Sequence, residues 1–521
     1  MDFTEIYRQT ASLVAFSPGT HFLLTAVQDR LVVRRSDSFQ IARTWLVDPT
    51  PSPTAAALPR DKEREKDAHG WITHAGWSCD SEYVLGACAR AGVVQVFKLR
   101  DEAWTARIDA GSEGLVKAEW APDGRTVLCF SEWGLRVTMW SLVTGAATYV
   151  QYPIHPDRGY AFRNDARYFV LAERHKSKDT LGVYDAGEAY RMVRHFPLPT
   201  SSLASVSLSP TGNYLAVWEG PLEYKLYIVT LAGSVVGSFC PEPDPGFGIR
   251  MVSWHPSGLF LAVAGHDDKV YILESLTWNS MATLDLPTRI PAGVHVWKEP
   301  SAWLEATHGR GFLSYERIQS PYILPTSASQ TRAKGTRPTP SAQSGSSTTS
   351  SRTGSGTTQI GFNTSGTLLL VRSASAPVAV LLYDFPLPRR DDPALSQSQS
   401  PPAPLKPRLR SVLLHERPVS AARWNPDPGR AGRLAVACGS QSVYLWSDEW
   451  VVEPGADGAR DEDEAEAEVA ECVGVPAQKF ETRDVAWAPD GKGMVLFDRE
   501  TFCCAFEVEE DGQGDGGGLT P

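Results

Sequence analysis

The chain of 521 residues is 42% hydrophobic and 10% aromatic, which suffices for a large core, and it is longer than one ordinary domain. Its formal net charge of −11 argues against broad, salt-driven binding of nucleic acid, which needs fields of lysine and arginine. No apolar run approaches the roughly 18 residues of a membrane span and no signal-peptide core follows Met1, so we expect a soluble intracellular protein without membrane contact.

A short pattern recurs nine times along the chain. It consists of an aromatic residue or leucine, a small polar residue, often a proline, and then Asp, Ser or Gly. Each copy ends one apolar run and precedes another, which predicts a strand, a tight turn and a second strand. The copies begin at Phe16, Trp77, Trp120, Phe162, Leu208, Trp254, Phe362, Trp424 and Trp487.

The spacing of these copies indicates the fold. Where the chain is uninterrupted they follow one another after about 45 residues, which is the period of β-propeller blades. We predict an all-β propeller of about nine blade-like units in one oversized ring, closed by the N-terminal segment Phe3–Arg8 as an outer strand. The alternative is a seven-bladed ring with an attached partial sheet, because propellers usually have four to eight blades.

Changes in composition divide the chain into units and insertions. Low-complexity or strongly charged stretches cannot bury enough apolar surface to order themselves. In chain order we expect blade one with the closing strand (1–47), a loop insertion (48–70), blades two to six (71–287), extra strands or a degenerate blade (288–324), a disordered linker (325–357), blades seven and eight (358–456), an acidic loop (457–479), blade nine (480–508) and a disordered tail (509–521).

The segments between the landmarks are more distinctive than the landmarks themselves. They are Gln28–Arg34, Trp104–Val116, Leu135–Leu142, Leu171–Arg174, Leu215–Trp218 with Leu222–Lys225, and Val270–Leu273 with Leu276–Trp278. In this order they resemble the WD repeat protein eight family, also called the WD-repeat protein antisense to a p53-family gene. The resemblance covers residues 1–325 strongly and 358–508 more weakly, and the expanded Pro/Ser/Ala-rich and acidic loops suggest a fungal member.

This resemblance implies a non-enzymatic WD-repeat scaffold of the spindle pole body or centrosome, in the cytoplasmic cytoskeleton. Such a scaffold helps to anchor microtubule minus ends and to organise the mitotic spindle. The implied partners are a coiled-coil minus-end anchoring adaptor, a minus-end-directed kinesin and spindle-pole components. Because both this chain and the microtubule lattice are acidic, we expect microtubules to be reached indirectly. The alternative is a propeller scaffold of another intracellular complex, such as one in translation initiation.

No arrangement of residues predicts catalysis. The chain has no P-loop pattern, no nucleophile elbow and no CxxC pair, and its histidines lack further ligands at metal spacing. We therefore predict no catalytic, cofactor-binding or metal-binding residues, and no cofactor.

Two charged hairpin tips are candidate partner-docking sites. The first contains Glu173, Arg174, Lys178 and Asp179, and the second contains Glu223 and Lys225. The competing interpretation is that each is simply a solvated turn between two strands.

Two short motifs are weaker candidates. Thr288, Ile290 and Pro291 match the [S/T]-x-I-P pattern recognised by microtubule end-binding proteins, which requires an accessible isoleucine. Thr339 precedes a proline in the predicted linker and is a candidate phosphorylation site, where added phosphate would offset the local basic charge.

Overall fold

The computed structural model describes residues 1–50, 71–308, 310–326, 356–385, 406–448, 468–477 and 479–507. Within these ranges the chain forms strands β1 to β42 and the short helix α1 (Trp303–Ala306). The helices in the described ranges lack the length and apolarity needed to cross a bilayer.

Blades one to six each consist of four consecutive antiparallel strands. Two short strands precede them, β1 (Asp2–Phe3) and β2 (Tyr7–Arg8). Blade one comprises β3 (Val14–Phe16), β4 (Phe22–Val27), β5 (Arg30–Arg35) and β6 (Ile41–Leu46), and blade two comprises β7 (His74–Trp77), β8 (Tyr83–Cys88), β9 (Val93–Lys98) and β10 (Thr105–Asp109). Blade three comprises β11 (Lys117–Trp120), β12 (Thr126–Phe130), β13 (Arg136–Ser141) and β14 (Ala147–Gln151), and blade four comprises β15 (Tyr160–Phe162), β16 (Tyr168–His175), β17 (Lys178–Asp185) and β18 (Arg191–Pro197). Blade five comprises β19 (Leu203–Leu208), β20 (Tyr214–Glu219), β21 (Leu226–Thr230) and β22 (Val235–Phe239), and blade six comprises β23 (Ile249–Trp254), β24 (Phe260–Gly265), β25 (Lys269–Glu274) and β26 (Ser280–Asp285).

The remaining strands form blades seven to nine, some of them coming from distant parts of the chain, and a separate two-stranded sheet in which Arg289–Ile290 pairs with Tyr322–Ile323. These strands are β27 (Arg289–Ile290), β28 (His295–Lys298), β29 (Phe312–Ser314), β30 (Glu316–Ile318), β31 (Tyr322–Ile323), β32 (Thr357–Phe362), β33 (Leu368–Ser373), β34 (Ala379–Asp384), β35 (Arg408–Leu414), β36 (Ala421–Trp424), β37 (Arg433–Ala437), β38 (Ser442–Ser447), β39 (Val469–Gly474), β40 (Asp484–Trp487), β41 (Gly493–Phe497) and β42 (Thr501–Phe506). Strand β39 lies in the segment that the sequence assigned to an acidic loop. It is instead the fourth strand of blade eight, because its apolar side chains fill that blade.

The nine blades form a single closed ring. Nine clusters of buried side chains lie between successive blades, one for each interface around the circle. The last interface joins blade nine to blade one, where Val495 and Phe502 pack with Phe16 and Leu23. This closure confirms the prediction of one oversized ring and excludes a seven-bladed ring with an attached sheet.

The N-terminal segment completes blade nine. Both β1 and β2 pair antiparallel with β42, opposite Ala505 and Phe502 respectively. The chain end therefore supplies the outer strand that β40 to β42 lack, and the two termini of the propeller are held in one sheet. The prediction that Phe3–Arg8 closes the ring is confirmed.

The segment between blades six and seven adds strands to two existing blades. Strand β28 lies parallel to β35 and β30 extends the same sheet, whereas β29 pairs with β39 in blade eight. Buried carboxylates hold this addition in place. Glu299 accepts hydrogen bonds from the Trp303 indole at 3.1 Å and the Tyr444 hydroxyl at 2.7 Å. Residues 288–324 thus add strands to blades seven and eight, and the separate pair β27 and β31 places Ile290 and Leu324 in the core between blades six and seven.

The repeated landmark builds the same turn in eight of the nine units, whereas in blade eight the 3₁₀ turn Pro428–Arg430 lengthens the loop. The residue after each landmark donates its backbone N–H to the start of the second strand, as His255 does to the Phe260 carbonyl at 2.9 Å. The fourth residue after the landmark adopts a left-handed conformation, with φ values between 58° and 77° in the turns of eight units. Glycine adopts such angles without steric cost, which explains its frequency at this position. The residues are Thr20, Ser81, Gly124, Ala166, Gly212, Gly258, Gly366 and Gly491.

The landmark tryptophans connect each blade to the one before it. The indole N–H of Trp254 in blade six donates to the Ser207 carbonyl in the first strand of blade five, at 3.2 Å. The same bond recurs wherever the landmark is tryptophan, with lengths of 2.9 to 3.1 Å. The other pairs are Trp77 with Ala15, Trp120 with Gly76, Trp424 with Gly361, and Trp487 with Arg423.

A candidate docking surface on blades three and four

The first predicted docking site lies on the longest hairpin of the described ring. Strands β16 and β17 have eight residues each, and they stay paired as far as His175 and Lys178. Lys176 and Ser177 form the two-residue turn, with φ values of 49° and 62°. Such a turn normally takes asparagine and glycine, because left-handed angles cost other residues about 1–2 kcal/mol each. The strained turn presents its lysine to solvent.

The two acidic residues predicted to dock a partner form hydrogen bonds inside the protein instead. Asp179 accepts hydrogen bonds from Arg174 Nε at 2.6 Å, the Leu203 N–H at 2.7 Å and the Thr200 hydroxyl at 3.2 Å. Its side chain is completely buried. These bonds tie the hairpin to the first strand of blade five, so Asp179 is a structural residue and is not open to a partner.

Glu173 is also buried. It accepts a hydrogen bond from the Tyr184 hydroxyl at 2.5 Å and lies 3.3 Å from His195 Nε2. Burial raises the pKa of Glu173, although Tyr184 and His195 act in the opposite direction. Of the four predicted residues of this hairpin, Arg174 is partly exposed and Lys178 is exposed.

A groove runs between blade three and this hairpin. It has a volume of about 830 Å³ and is bordered by the outer strand β14 on one side and by β16 to β18 on the other. Its rim carries apolar side chains in contact with solvent: Tyr149 is 56% exposed, Tyr152 44% and Met192 52%. The Tyr152 ring lies 5.4 Å from the His175 ring, which joins the two sides of the groove at the hairpin.

The groove is cationic on a protein that is acidic as a whole. Lys176, Lys178, His175 and His195 line it, and Glu173 is the one acidic residue that contributes to its wall. Since the carboxylate of Glu173 is buried beneath Tyr184 and beside His195, the surface that a partner meets is positive.

An exposed tryptophan extends this surface along the same face of the ring. Trp133, in the loop from β12 to β13, is 89% exposed and has a left-handed φ of 61°. Its neighbour Leu135 is 45% exposed and accepts a hydrogen bond from the Tyr152 N–H at 3.0 Å. Tryptophan is enriched among residues that dominate binding energy at interfaces. We call this region the docking surface; it comprises Trp133, Leu135, Tyr149, Tyr152, His175, Lys176, Lys178 and Met192.

Most of the docking surface could not be recognised in the sequence. Trp133 follows a strand like many core tryptophans, and only the structure shows its indole in solvent. Tyr149 lies on an outer strand whose exposed positions depend on pairing with β13. The one available signal was the length of the charged hairpin between two apolar runs.

The second predicted site lies in blade five. Glu223 and Lys225 are exposed in the loop from β20 to β21, and their side chains form an ion pair of 2.8 Å. The hydrogen bond from Lys225 to Glu223 raises the pKa of the lysine. Loops between second and third strands emerge on the same face in every blade, so this pair shares a face with the hairpin tip. Each charge is already matched by the other.

The end-binding motif does not present its isoleucine. Ile290 is fully buried in the core between blades six and seven, and its backbone pairs with Tyr322. Thr288 and Pro291 are exposed, but the motif binds by inserting its isoleucine into a partner's groove. Because Ile290 is buried in this fold, the motif cannot bind in that way. Thr339 lies outside the described residues.

No metal centre is found in the part of the chain that the structure describes, because no group of three or more His, Cys, Asp or Glu side chains is placed to hold an ion. No family model matches the chain. The solved structures that it resembles include the C-terminal WD40 domain of Sif2, with a TM-score of 0.43 and 11% identity over 83% of this chain and 95% of that one. They also include hydrazine synthase of Kuenenia stuttgartiensis, with a TM-score of 0.33 and 14% identity over 50% and 75% of the two chains.

Two curated proteins are similar in sequence. An uncharacterized WD repeat-containing protein of Schizosaccharomyces pombe, C32H8.09, is 26% identical over 217 residues, which are 40% of this chain and 45% of that protein. WD repeat-containing protein WRAP73 of Mus musculus is 30% identical over 515 residues, which are 98% of this chain and 97% of that protein. Since this second match spans nearly the whole of both chains, the protein described here belongs to the WRAP73 family of WD repeat-containing proteins.

Proposed function

We propose that this protein is a non-enzymatic scaffold of the spindle pole body or centrosome. In this role it helps to anchor microtubule minus ends and to organise the mitotic spindle. It does so through a coiled-coil anchoring adaptor, a minus-end-directed kinesin and other spindle-pole components. The proposal draws on family membership over the full length and on the family role that the matching segments imply.

The observation that carries a scaffolding role is the docking surface. WD40 propellers typically bind protein partners, and this ring exposes Trp133, Tyr149 and Met192 together on adjoining blades. Large apolar side chains that cluster in solvent are characteristic of protein interaction sites, whereas singly exposed ones are common on any protein surface.

The charge of the chain favours indirect contact with microtubules. With 61 acidic and 50 basic residues, the protein as a whole repels an acidic lattice. At physiological ionic strength charges are screened over about 8 Å, so broad attraction would need a wide basic face. The cationic groove is confined to one hairpin, which suits a short partner segment better than a filament.

Two experiments test this proposal. Affinity isolation of the tagged full-length protein from mitotic cells should recover a coiled-coil adaptor, a kinesin and spindle-pole proteins. Recovery of ribosomal and initiation proteins instead would favour the alternative scaffold. Purified protein should remain in the supernatant when microtubules are pelleted at moderate salt, and strong co-sedimentation of the protein alone would contradict indirect binding.

A further inference from the structure

We propose that the docking surface binds an acidic amphipathic segment of a partner protein. Its carboxylates would face Lys176 and Lys178, and its apolar side chains would enter the groove against Tyr149 and Met192. The inference rests on the scaffold function proposed above, for which it names the partner chemistry. Its test is a direct binding measurement that does not depend on where in the cell the protein acts.

The lysines of the hairpin tip are available for a partner. In the described part of the chain neither Lys176 nor Lys178 forms an ion pair, and both are exposed. Two other exposed lysines show the contrast, since Lys225 pairs with Glu223 at 2.8 Å and Lys269 with Asp285 at 3.5 Å. Two unmatched cations, held outward by a strained turn, leave a local charge that an incoming carboxylate neutralises.

Hydrogen bonds at the base of the hairpin tip hold Lys176 and Lys178 in place. Arg174 is drawn towards Asp179, and Asp179 bonds to the Leu203 N–H of blade five. The hairpin is therefore anchored on two blades, and its lysines occupy a fixed position beside the groove. A preorganised site loses less conformational entropy when it binds.

The groove requires that the acidic segment also carries apolar residues. Its volume of about 830 Å³ is large enough for several side chains, and it is open along its length. Tyr149 and Met192 offer apolar contact from opposite sides, and Trp133 lies beyond the rim. A purely acidic chain would leave these side chains in water, whereas an amphipathic segment covers them and satisfies the lysines together.

The net charge of −11 does not prevent this interaction. Screening over about 8 Å at physiological ionic strength limits the repulsion from distant carboxylates. The groove itself is lined by Lys176, Lys178 and His175, and the one carboxylate in its wall, that of Glu173, is buried. The local field therefore decides which partner segment binds, and binding should weaken as salt is added.

The test uses fluorescence anisotropy with the purified full-length protein. The probe is a fluorescein-labelled synthetic peptide of about 15 residues in which glutamates alternate with leucine and phenylalanine, a length that spans an interface patch of ordinary size. One comparison peptide carries lysine in place of glutamate, and a second carries serine in place of the apolar residues. We expect the acidic amphipathic peptide to bind at least tenfold more tightly than either.

The variants locate the binding site. Lys176→Glu with Lys178→Glu should weaken binding of the acidic amphipathic peptide at least tenfold and remove most of its salt dependence. Met192→Ser should weaken binding while leaving the salt dependence intact. Lys406→Glu, which reverses an exposed lysine before β35, is the matched control and should bind as the native protein does. All of these positions are at least half exposed or lie on the surface, so the fold should be retained, as circular dichroism would show.

Several results would overturn the inference. These are absence of binding by the acidic amphipathic peptide, equal binding by the double lysine variant, or equal binding by the lysine-containing peptide. A single-stranded RNA oligonucleotide that bound more tightly than the peptide, and lost its binding in the double variant, would assign the groove to nucleic acid instead. If the peptide fails while affinity isolation still recovers spindle-pole proteins, the scaffold function stands and only the partner chemistry is wrong.

Discussion

The substitution Asp179→Ala tests whether Asp179 stabilises its hairpin or contacts a partner. The sequence places Asp179 in a charged tip, whereas the structure buries its carboxylate among three donors. We expect Asp179→Ala to destabilise blade four and its junction with blade five. Any loss of partner binding in that variant would follow from the altered hairpin.

The expected loss in the free energy of unfolding follows from the three hydrogen bonds that Asp179 accepts. Leu203 is 2% exposed, so its N–H would stay buried without an acceptor, at a cost of about 1–3 kcal/mol. The Thr200 hydroxyl would lose a bond that contributes about 1 kcal/mol. The Arg174 side chain is 36% exposed, and water can replace its partner, so this ion pair adds less than about 1 kcal/mol. Together these contributions give a loss of about 3 kcal/mol.

The measurement combines urea unfolding with native-state hydrogen exchange. Exchange is needed because blade four can open locally without unfolding the whole ring. Faster exchange should appear at the amides of β17 and β19. The matched control is Asp157→Ala, which removes a carboxylate that is 82% exposed and 3.7 Å from Lys117. That change should cost less than about 0.5 kcal/mol. If the two variants were equally stable, the structural role of Asp179 would be refuted.

Three further predictions concern the ring as a whole. Trp254→Phe removes the indole donor to the Ser207 carbonyl and should cost about 1 kcal/mol in urea unfolding; an unchanged midpoint would show that this bond between blades contributes nothing. Ala166→Gly relieves a left-handed φ of 58° and should stabilise the protein by up to about 1 kcal/mol, so a lower thermal midpoint would contradict the strain argument. Burial lowers the pKa of His415 to about 3 from 6.5, so its contribution to stability is complete above pH 6.5 and is lost as pH falls towards 3. At pH 5 the loss should be about 2 kcal/mol, and His415→Gln should flatten the dependence measured by unfolding at successive pH values.

The ring could be predicted from sequence because each unit repeats the same short pattern of neighbouring residues. A landmark residue, a turn with a left-handed fourth position, and two flanking apolar runs are all contiguous in the chain. Gly258 and Gly366 show the reason, since each occupies the same left-handed position in its turn. The closing strand was predictable as well, because the last unit showed three strands and a short apolar segment preceded the first.

The remaining features depend on contacts between distant residues. Strand β28 pairs with β35, where His295 lies opposite Ser411, and no local pattern specifies that partner. The burial of Asp179 requires Leu203 from the next blade. The exposure of Trp133 likewise follows from packing around it, since the residue type alone favours a core position.

We propose, as the central point of this account, that the docking surface on blades three and four holds this protein at the spindle pole. The most direct test is live imaging of the fluorescently tagged full-length protein through mitosis, as native protein, as the double variant Lys176→Glu with Lys178→Glu, and as the control Lys406→Glu. We predict that the native protein and the control concentrate at the poles, whereas the double variant is diffuse. A diffuse native protein would contradict the spindle-pole function, and a double variant that remained at the poles would contradict the assignment of the docking surface.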